Sequence, residues 1–253
     1  MRLARFRTGD RIATGSVDDG FVRPLRGTFF EDPVPTGEEI PAAEVRLLAP
    51  VIPSKVVCIG KNYLEHAEEM GGQVPEEPVI FLKPATAVIG PGDPIPRPAW
   101  SERVDHEGEL GIVIGRLARD VKAEESGKYI LGYLCGNDVT ARDLQAKDGQ
   151  WTRAKGFDGF CPLGPWVETE LDPTDLAVEC RVNGEVRQSA RTSQLAFGPG
   201  ELIEFISRVM TLLPGDVILT GTPAGVSALK PGDRVEVEVE GIGILENEVT
   251  EGD

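Results

Sequence analysis

Short segments with the residue pattern of β-strands far outnumber helical segments along this chain, and that imbalance limits the folds open to it. Only one long segment, 200–213, places apolar residues at helical spacing. Between the strand-like segments 177–182 and 185–189, Asn183-Gly184 predicts a tight hairpin. Because strands and helices do not alternate regularly, a doubly wound sheet is disfavoured. The sequence predicts an α+β, mainly β fold built as a mixed β-roll or barrel.

The chain divides into two regions of different character. Its 253 residues suit one large domain with a small appendage. The N-terminal region carries short strand-like runs separated by turns, and a loop rich in Pro, Gly and Glu follows at 31–43. From Lys55 onward the apolar runs become denser. We predict a small β-rich N-terminal domain over residues 1–52 and the main domain over residues 53–253.

The charge balance excludes several classes of partner. Lys and Arg number 26 and Asp and Glu number 42, so the net charge is −16. Such a surface repels phosphate backbones and anionic membranes. No segment approaches the ~18 uninterrupted apolar residues of a membrane span, and the N-terminus lacks the apolar stretch of a signal peptide. The four cysteines show no zinc or disulfide spacing. We expect a cytoplasmic protein without nucleic acid or membrane partners.

Three acidic residues are candidate metal ligands. Strand alternation in segment 105–115 puts Glu107 and Glu109 on one face, where their charges repel unless a cation lies between them. A hard divalent ion such as Mg²⁺ would remove that conflict. An edge strand that exposes both acids to water fits the segment equally well. Asp138, at the end of an apolar strand, is either a third oxygen ligand or a helix cap.

A short predicted helix at 63–70 carries a second candidate group. We expect Asn62 to cap this helix, with Glu65 completing a capping box. His66 and Glu69 lie three residues apart and therefore share a face. A carboxylate orients an imidazole and raises its basicity, as a general base requires. A surface His–Glu pair without function fits the same pattern.

Two loops complete the candidate chemistry. Lys155 begins a glycine-containing loop, 155–160, that could hold an anion, and segment 220–226 offers hydroxyl and N–H groups suited to a carboxylate. Plain turns are the alternative for both. The phosphate-binding, dinucleotide-binding and nucleophile-elbow motifs are missing from the sequence, which disfavours nucleotide binding and serine hydrolysis.

Taken together, six motifs resemble those of the fumarylacetoacetate hydrolase family, in the same order and over roughly residues 53–249. The first 52 residues resemble the small N-terminal domain of bacterial members named hydroxyheptadienedioate isomerases. The motifs are Gly60-x-Asn62-Tyr63-x-x-His66-x-x-Glu69, Phe81-Leu82-Lys83-Pro84, Glu107-x-Glu109, Gly136-Asn137-Asp138-Val139-Thr140-Ala141-Arg142-Asp143, Lys155-Gly156-Phe157-Asp158 and Thr220-Gly221-Thr222-Pro223.

The resemblance implies a mixed β-roll catalytic domain, a homodimer and a bound Mg²⁺ or Mn²⁺. It also implies a role for each matched residue. Glu107, Glu109 and Asp138 would bind the metal, and His66 with Glu69 would form a catalytic dyad on a lid. Lys155 would stabilise the developing anion, and the substrate would be held by Arg142, Gln145 and Thr222.

The implied substrate is a small 2-oxo acid that reacts through a metal-bound enolate. We expect hydrolysis of the C3–C4 bond of an acylpyruvate-type 2,4-dioxo acid, because His66 and Glu69 suit the activation of water. The same residues allow isomerisation of 2-hydroxyhepta-2,4-diene-1,7-dioate in aromatic catabolism. They also allow decarboxylation of 5-oxopent-3-ene-1,2,5-tricarboxylate or oxaloacetate. A non-enzymatic acidic β-rich binding protein is the remaining alternative.

Overall fold

The N-terminal strands continue the main sheet of the protein. In the computed structural model, which describes residues 1–31 and 33–252, the first strand pairs with a strand of the main region through Arg2↔Glu168 and Leu3↔Val167. The division at residues 52 and 53 stays a prediction. The strands of this region are β1 (Arg2–Thr8), β2 (Arg11–Asp18), β3 (Phe21–Arg26), β4 (Val34–Pro35), β5 (Ile40–Pro41) and β6 (Arg46–Leu48).

The rest of the described chain adds fourteen strands and four α-helices. The strands are β7 (Val56–Gly60), β8 (Val79–Lys83), β9 (Val88–Ile89), β10 (Ile95–Arg97), β11 (Val104–Asp105), β12 (Gly108–Ile114), β13 (Ile130–Asn137), β14 (Thr140–Ala141), β15 (Cys161–Glu168), β16 (Ala177–Val182), β17 (Glu185–Arg191), β18 (Val217–Leu219), β19 (Arg234–Val239) and β20 (Gly243–Glu251). The helices are α1 (Leu64–Glu69), α2 (Arg142–Asp148), α3 (Thr152–Lys155) and α4 (Pro199–Val209). Short 3₁₀ turns lie at Ala42–Glu44, Ala85–Ala87, Ala123–Tyr129 and Thr192–Gln194.

The strands form one large mixed sheet and two smaller sheets. The large sheet runs in the order β4-β3-β2-β1-β15-β13-β12-β18-β7-β8, with β5, β6 and β9 paired beside that path. A second sheet has the order β10-β20-β19-β16-β17, and β11 pairs with β14. Within the described residues the large sheet ends at β4 and β8, so it forms an open roll and does not close into a barrel. The predicted α+β, mainly β fold is confirmed.

Strand β12 lies in the middle of the core. Its seven residues are all buried. Leu110, Ile112 and Ile114 pack in one apolar cluster with residues of the second sheet and α4. Val113 packs in another cluster, formed with the neighbouring strands of the large sheet. This face assignment agrees with the alternation in the sequence.

Two local predictions meet different outcomes. The hairpin at Asn183-Gly184 is present, because β16 and β17 pair antiparallel up to Val182↔Glu185. The long helix is shorter than the predicted 200–213: α4 ends at Val209, and Met210 is extended. The helix stops there because Leu212 instead exchanges two backbone hydrogen bonds of 2.9 Å with Ala118. No helix in the described ranges has the length and apolarity needed to span a bilayer.

Candidate active site

Three carboxylates converge at one end of the β12–β13 pair. The antiparallel register pairs Gly108 with Asn137, which places Glu107 beside Asp138, and the Asp138 N–H donates to the Glu107 carbonyl at 2.9 Å. Glu109 follows on the same face of β12. Each of the three residues offers one oxygen, and these oxygens lie within 4.8 Å of one another. Exposed fractions are 4% for Glu107, 1% for Glu109 and 1% for Asp138.

This burial overturns two of the alternatives left open by the sequence. Strand β12 lies between β13 and β18 and is not a sheet edge, so its acids do not face water. Asp138 does not cap a helix either, because α2 has Ala141 at its N-cap. Its carboxylate is instead directed at buried lysines. The carboxylate cluster is thus an interior feature that its surroundings must neutralise.

Basic side chains neutralise most of the cluster. The Lys155 ammonium lies 2.8 Å from Glu107 Oε2 and 2.7 Å from Asp138 Oδ2, and Arg142 Nη2 lies 2.6 Å from Glu107 Oε1. Burial acts to raise the pKa of Glu107, but the charges of Lys155 and Arg142 outweigh it and hold that pKa well below its usual range. Burial likewise acts to lower the pKa of Lys155, yet Asp138 and Glu107 raise it overall.

Glu109 has no such partner. Among the described residues it forms no ion pair within 4.0 Å, and its Oε2 accepts a hydrogen bond of 2.6 Å from the Gly221 N–H. Burial, followed by the negative charges of Asp138 and Glu107, raises its pKa well above the ordinary value. A buried carboxylate in this position is costly unless a further cation is present.

The donor set fits a hard divalent cation. Asp138 Oδ1 lies 2.7 Å from Lys83 Nζ, but the geometry gives it no hydrogen bond from that or any other described group. Together with the unpaired Glu109, this leaves carboxylate oxygens with free lone pairs inside one cluster. Mg²⁺ and Mn²⁺ prefer such oxygen ligands. The site therefore has the residues needed to hold either ion.

The imidazole and carboxylate of α1 form a pair beside this cluster. His66 Nδ1 lies 3.1 Å from Glu69 Oε2, and Glu69 Oε1 accepts a hydrogen bond of 3.0 Å from the Gly225 N–H. Because an ionised carboxylate only accepts hydrogen bonds, Nδ1 carries the proton of a neutral His66. That tautomer leaves Nε2 with a free lone pair, the form a general base needs.

The predicted cap of α1 is wrong. Asn62 accepts a hydrogen bond of 2.9 Å from the Phe197 N–H and donates to the carbonyls of Phe197 (3.0 Å) and Thr220 (2.7 Å). Tyr63 holds the N-cap position of α1 and makes no side-chain cap. The Asn62 amide is fully buried, so it satisfies backbone groups of two distant segments in preference to the helix end.

The predicted substrate-binding side chains are already hydrogen-bonded within the protein. Arg142 donates to Asp105 (2.9 Å) and to the side-chain oxygen of Gln145 (2.7 Å), in addition to Glu107. The Thr222 hydroxyl donates to the Gly108 carbonyl at 3.0 Å. Free donors of this set are thus the NH₂ group of Gln145, for which the described residues offer no acceptor, and two of the five N–H groups of Arg142.

One cavity of about 300 Å³ brings most of the predicted residues together. Glu69, Glu109 and Asp138 lie behind its wall and contact residues that line it. The lining comprises the predicted His66, Glu107, Arg142, Gln145, Lys155 and Thr222, with Ile59, Gly60, Lys61, Met70, Phe81, Ala146 and Trp151.

The sequence pattern indicates no role for Lys83, although the residue lies in one of the six motifs. Its side chain is fully buried. Its ammonium donates to the carbonyls of Val139 (3.0 Å) and Lys155 (2.6 Å) and contacts Asp138. The one sequence signal was a lysine at the end of a strand-like run, just before Pro84.

Gln188 was missed because nothing in its hairpin marks it. Its Oε1 accepts a hydrogen bond of 2.9 Å from the Gly108 N–H, and its Nε2 donates to the Thr222 hydroxyl at 2.7 Å. His106, also without a predicted role, lies 3.0 Å from the same Oε1 through Nδ1. Burial lowers the pKa of His106. This network fixes the 220–226 loop against β12.

Comparisons with known proteins agree with the motifs. Residues 55–250 match the family described as fumarylacetoacetate (FAA) hydrolase C-terminal, and residues 1–50 match a Rv2993c-like N-terminal family. The mitochondrial oxaloacetate tautomerase FAHD2A of Bos taurus is 47% identical, over 83% of this chain and 71% of that protein.

Two solved structures have the same fold. One is 2-hydroxyhepta-2,4-diene-1,7-dioate isomerase from Mycobacterium marinum, with a TM-score of 0.93 and 51% identity, covering 99% of this chain and 98% of that one. The other is maleylpyruvate hydrolase from Sphingobium, in complex with manganese and pyruvate, with a TM-score of 0.85, 32% identity and full coverage of both chains. With its six ordered motifs and this match over the whole main region, the chain belongs to the fumarylacetoacetate hydrolase family.

Proposed function

We propose that this protein is a divalent-metal-dependent enzyme that moves a proton in 2-oxo acids, interconverting keto and enol forms or shifting a double bond. The observation that carries the proposal is the common cavity, which His66 lines together with Glu107 of the carboxylate cluster. The names of two relatives support it. Oxaloacetate tautomerase at 47% identity and the diene-dioate isomerase at 51% identity are both named for reactions that keep the carbon skeleton intact.

The metal would be held by Glu107, Glu109 and Asp138, and Mg²⁺ and Mn²⁺ both suit these ligands. The related maleylpyruvate hydrolase, which was solved with manganese and pyruvate, supports this choice. When bound, such an ion supplies Lewis acidity toward the carboxylate and 2-oxo oxygens of a substrate.

The protein side chains would carry out the proton transfer. His66 Nε2 takes a proton from C3, the carbon next to the 2-oxo group, and Glu69 stabilises the imidazolium that forms. Negative charge builds up on the 2-oxo oxygen, and the imidazolium then returns the proton, either to that oxygen to give the enol or to a more distant carbon to complete the double-bond shift. Lys155 uses two of its three N–H groups on Glu107 and Asp138, so the third can donate to that oxygen. The NH₂ group of Gln145 orients the substrate carboxylate.

Hydrolysis of an acylpyruvate is the second candidate. His66 Nε2 can equally take a proton from water, which adds to a 4-oxo group before the C3–C4 bond breaks to release an acid and the enolate of pyruvate. The name of the maleylpyruvate hydrolase relative, at 32% identity, favours this reaction. Decarboxylation of oxaloacetate gives the same enolate. A homodimer and a cytoplasmic location stay predictions.

Substrate comparison tests the choice between these reactions. With oxaloacetate we would follow both the loss of enol absorbance and the release of pyruvate. With acetylpyruvate we would follow the release of pyruvate. Each assay is run with Mn²⁺ and with EDTA. Metal-dependent loss of the enol without pyruvate release supports the tautomerase. Pyruvate from acetylpyruvate without enol turnover overturns it in favour of the hydrolase, and pyruvate from oxaloacetate indicates a decarboxylase.

Two variants separate the metal ligands from the base. His66→Ala should lower turnover by roughly 10²–10⁴-fold, the usual contribution of a general base, while calorimetric Mn²⁺ affinity stays unchanged. Glu109→Gln should abolish measurable Mn²⁺ binding, because an oxygen ligand loses its charge. Glu65→Gln, an exposed carboxylate on the same short helix, is the control and should change neither quantity. Wild-type Mn²⁺ affinity in Glu109→Gln would refute the metal site.

A further inference from the structure

We propose that Lys61 binds a second carboxylate, at the end of the substrate far from the metal ligands, so that the enzyme selects dicarboxylic 2-oxo acids. This inference rests on the proposed function and names its substrate class. Lys61 lines the cavity described above, together with Phe81 and Trp151.

Lys61 differs from the other cations of the cavity wall. Arg142 and Lys155 are each committed to two buried carboxylates. Across residues 1–31 and 33–252, the Lys61 ammonium has no carboxylate within 4.0 Å and no hydrogen-bond partner, although the residue is half-buried. A lysine in such a place retains the capacity to form a charge-assisted hydrogen bond with a ligand anion.

The backbone holds this lysine in an unusual conformation. Lys61 has φ +58°, in the left-handed region that is strained for a non-glycine residue. It follows the end of β7 and precedes Asn62, whose side-chain hydrogen bonds fix the chain there. Strained residues held by well-packed neighbours are concentrated at ligand sites.

The side chain reaches the segment beyond α1. A Cβ placed on Gly72 would lie 2.9 Å from Lys61 Nζ, so the ammonium lies against the backbone that follows the helix. Lys61 thus connects the end of β7 with the far end of α1 along the cavity wall. The apolar side chains of Ile59, Met70, Phe81 and Trp151 line the same cavity. These features match a ligand with an uncharged carbon chain and an anionic group at each end.

Kinetics with a matched pair of substrates test the role of Lys61. With the Mn²⁺-loaded full chain, we would compare oxaloacetate with its 4-methyl ester, which lacks only the distal charge. Lys61→Met should raise KM for oxaloacetate by about 10- to 100-fold, the range expected for one charged hydrogen bond, and leave KM for the ester unchanged. Lys61→Arg should restore most of the affinity. Lys147→Met, an exposed lysine on α2, should behave as wild type.

Several outcomes would overturn the proposal. Equal effects on the acid and the ester would show that Lys61 has a structural role, and no effect on either would show that it binds nothing. If the wild type turns over neither compound, the proposed function fails. In that case the role of Lys61 is tested separately by calorimetry. The affinities of the same proteins are measured for 2-oxoglutarate, which has a second carboxylate, and for 2-oxobutanoate, which has none. Weaker binding of the diacid alone in Lys61→Met supports the site, and any other result refutes it.

Discussion

Individual buried side chains with distant partners hold the site together. Lys83 contacts Asp138, 55 positions further along, and Asn62 bonds to residues 135 and 158 positions away. Lys83 connects β8 to Asp138, and Asn62 connects the start of α1 to Phe197 and to the 220–226 loop. Neither residue lines the cavity itself.

Replacing Lys83 by Met should strongly destabilise the metal-free protein. The change leaves Asp138 with Lys155 as its remaining buried cation and removes the donor to two buried carbonyl oxygens. Breaking a buried ion pair from one side costs about 3–5 kcal/mol. Urea unfolding measures the loss of unfolding free energy. Lys230→Met, at an exposed position, is the control and should stay within about 0.5 kcal/mol. A loss below about 1 kcal/mol for Lys83→Met would contradict the role given to it.

Among single residues, the sequence predicts the clustered carboxylates better than the side chains that support them. Glu107 and Glu109 could be found because strand alternation is local, and the structure confirms that they share a cluster with Asp138. Gln188 could not be found, since its partners Gly108 and Thr222 lie on other elements. The predicted cap at Asn62 is wrong because an asparagine before a helix is a common cap, whereas in this fold its buried amide bonds to Phe197 and Thr220.

Two parallel strands bring separate parts of the site to the same edge of the sheet. β7 and β18 pair in parallel through Val56↔Val217 and Leu219↔Cys58. The carboxyl ends of β7 and β18 therefore lie at the same edge of the sheet. Lys61, which follows β7, and the 220–226 loop, which follows β18, both begin at that edge. Asp216, just before β18, accepts hydrogen bonds from Ser54 (2.6 Å, side chain) and from the Leu213 N–H (2.8 Å), and it pairs with Lys55.

Asp216, at the start of this strand pair, should make the free energy of unfolding depend on pH. Burial acts to raise the pKa of Asp216, but hydrogen bonds from Leu213, Lys55 and Ser54 outweigh it and lower that pKa below its ordinary value of 3.8. The stabilisation is therefore present above pH 3.8 and is lost as the pH falls through the folded-state pKa.

Asp216→Asn should therefore destabilise the protein only where the wild-type carboxylate is charged. At pH 7 we expect a loss of about 2–4 kcal/mol, since charged hydrogen bonds are weakened. The difference from wild type should shrink as the pH falls below 3.8. Urea unfolding at several pH values checks this, with the exposed Asp10→Asn as control. A difference that does not depend on pH would contradict the charge-based explanation.

Across the whole molecule, the N-terminal strands and the main region share one sheet. Leu3, Phe29 and Val51 pack in one apolar cluster with Val167, Leu163 and other residues of the large sheet. The change in composition near residue 53 indicated a division of the chain. It gave no information about this pairing, because strand partners distant in sequence leave no local signal.

A chain shortened to residues 53–253 should be less stable than the full chain and should aggregate. Its β15 would lose β1 as a neighbour and the apolar cluster would lose Leu3, Phe29 and Val51. An exposed edge strand beside an apolar surface promotes aggregation. Size-exclusion chromatography and calorimetry should show aggregates and a lowered melting temperature relative to the full chain. A well-folded short chain that binds Mn²⁺ with wild-type affinity would show that the N-terminal region is dispensable.

The anchoring of Asn62 gives α1 the mechanics of a lever. Three hydrogen bonds fix the chain two residues before the helix begins, so any rocking of α1 pivots near Leu64. At 1.5 Å per residue, His66 lies about 3 Å from that pivot and Met70 about 9 Å. A rotation that swings Met70 by about 1.5 Å therefore displaces His66 by only about 0.5 Å. The hydrogen bond from the Gly225 N–H to Glu69 opposes such a rotation near the far end of the helix, and the short distance to the pivot keeps the imidazole close to its place.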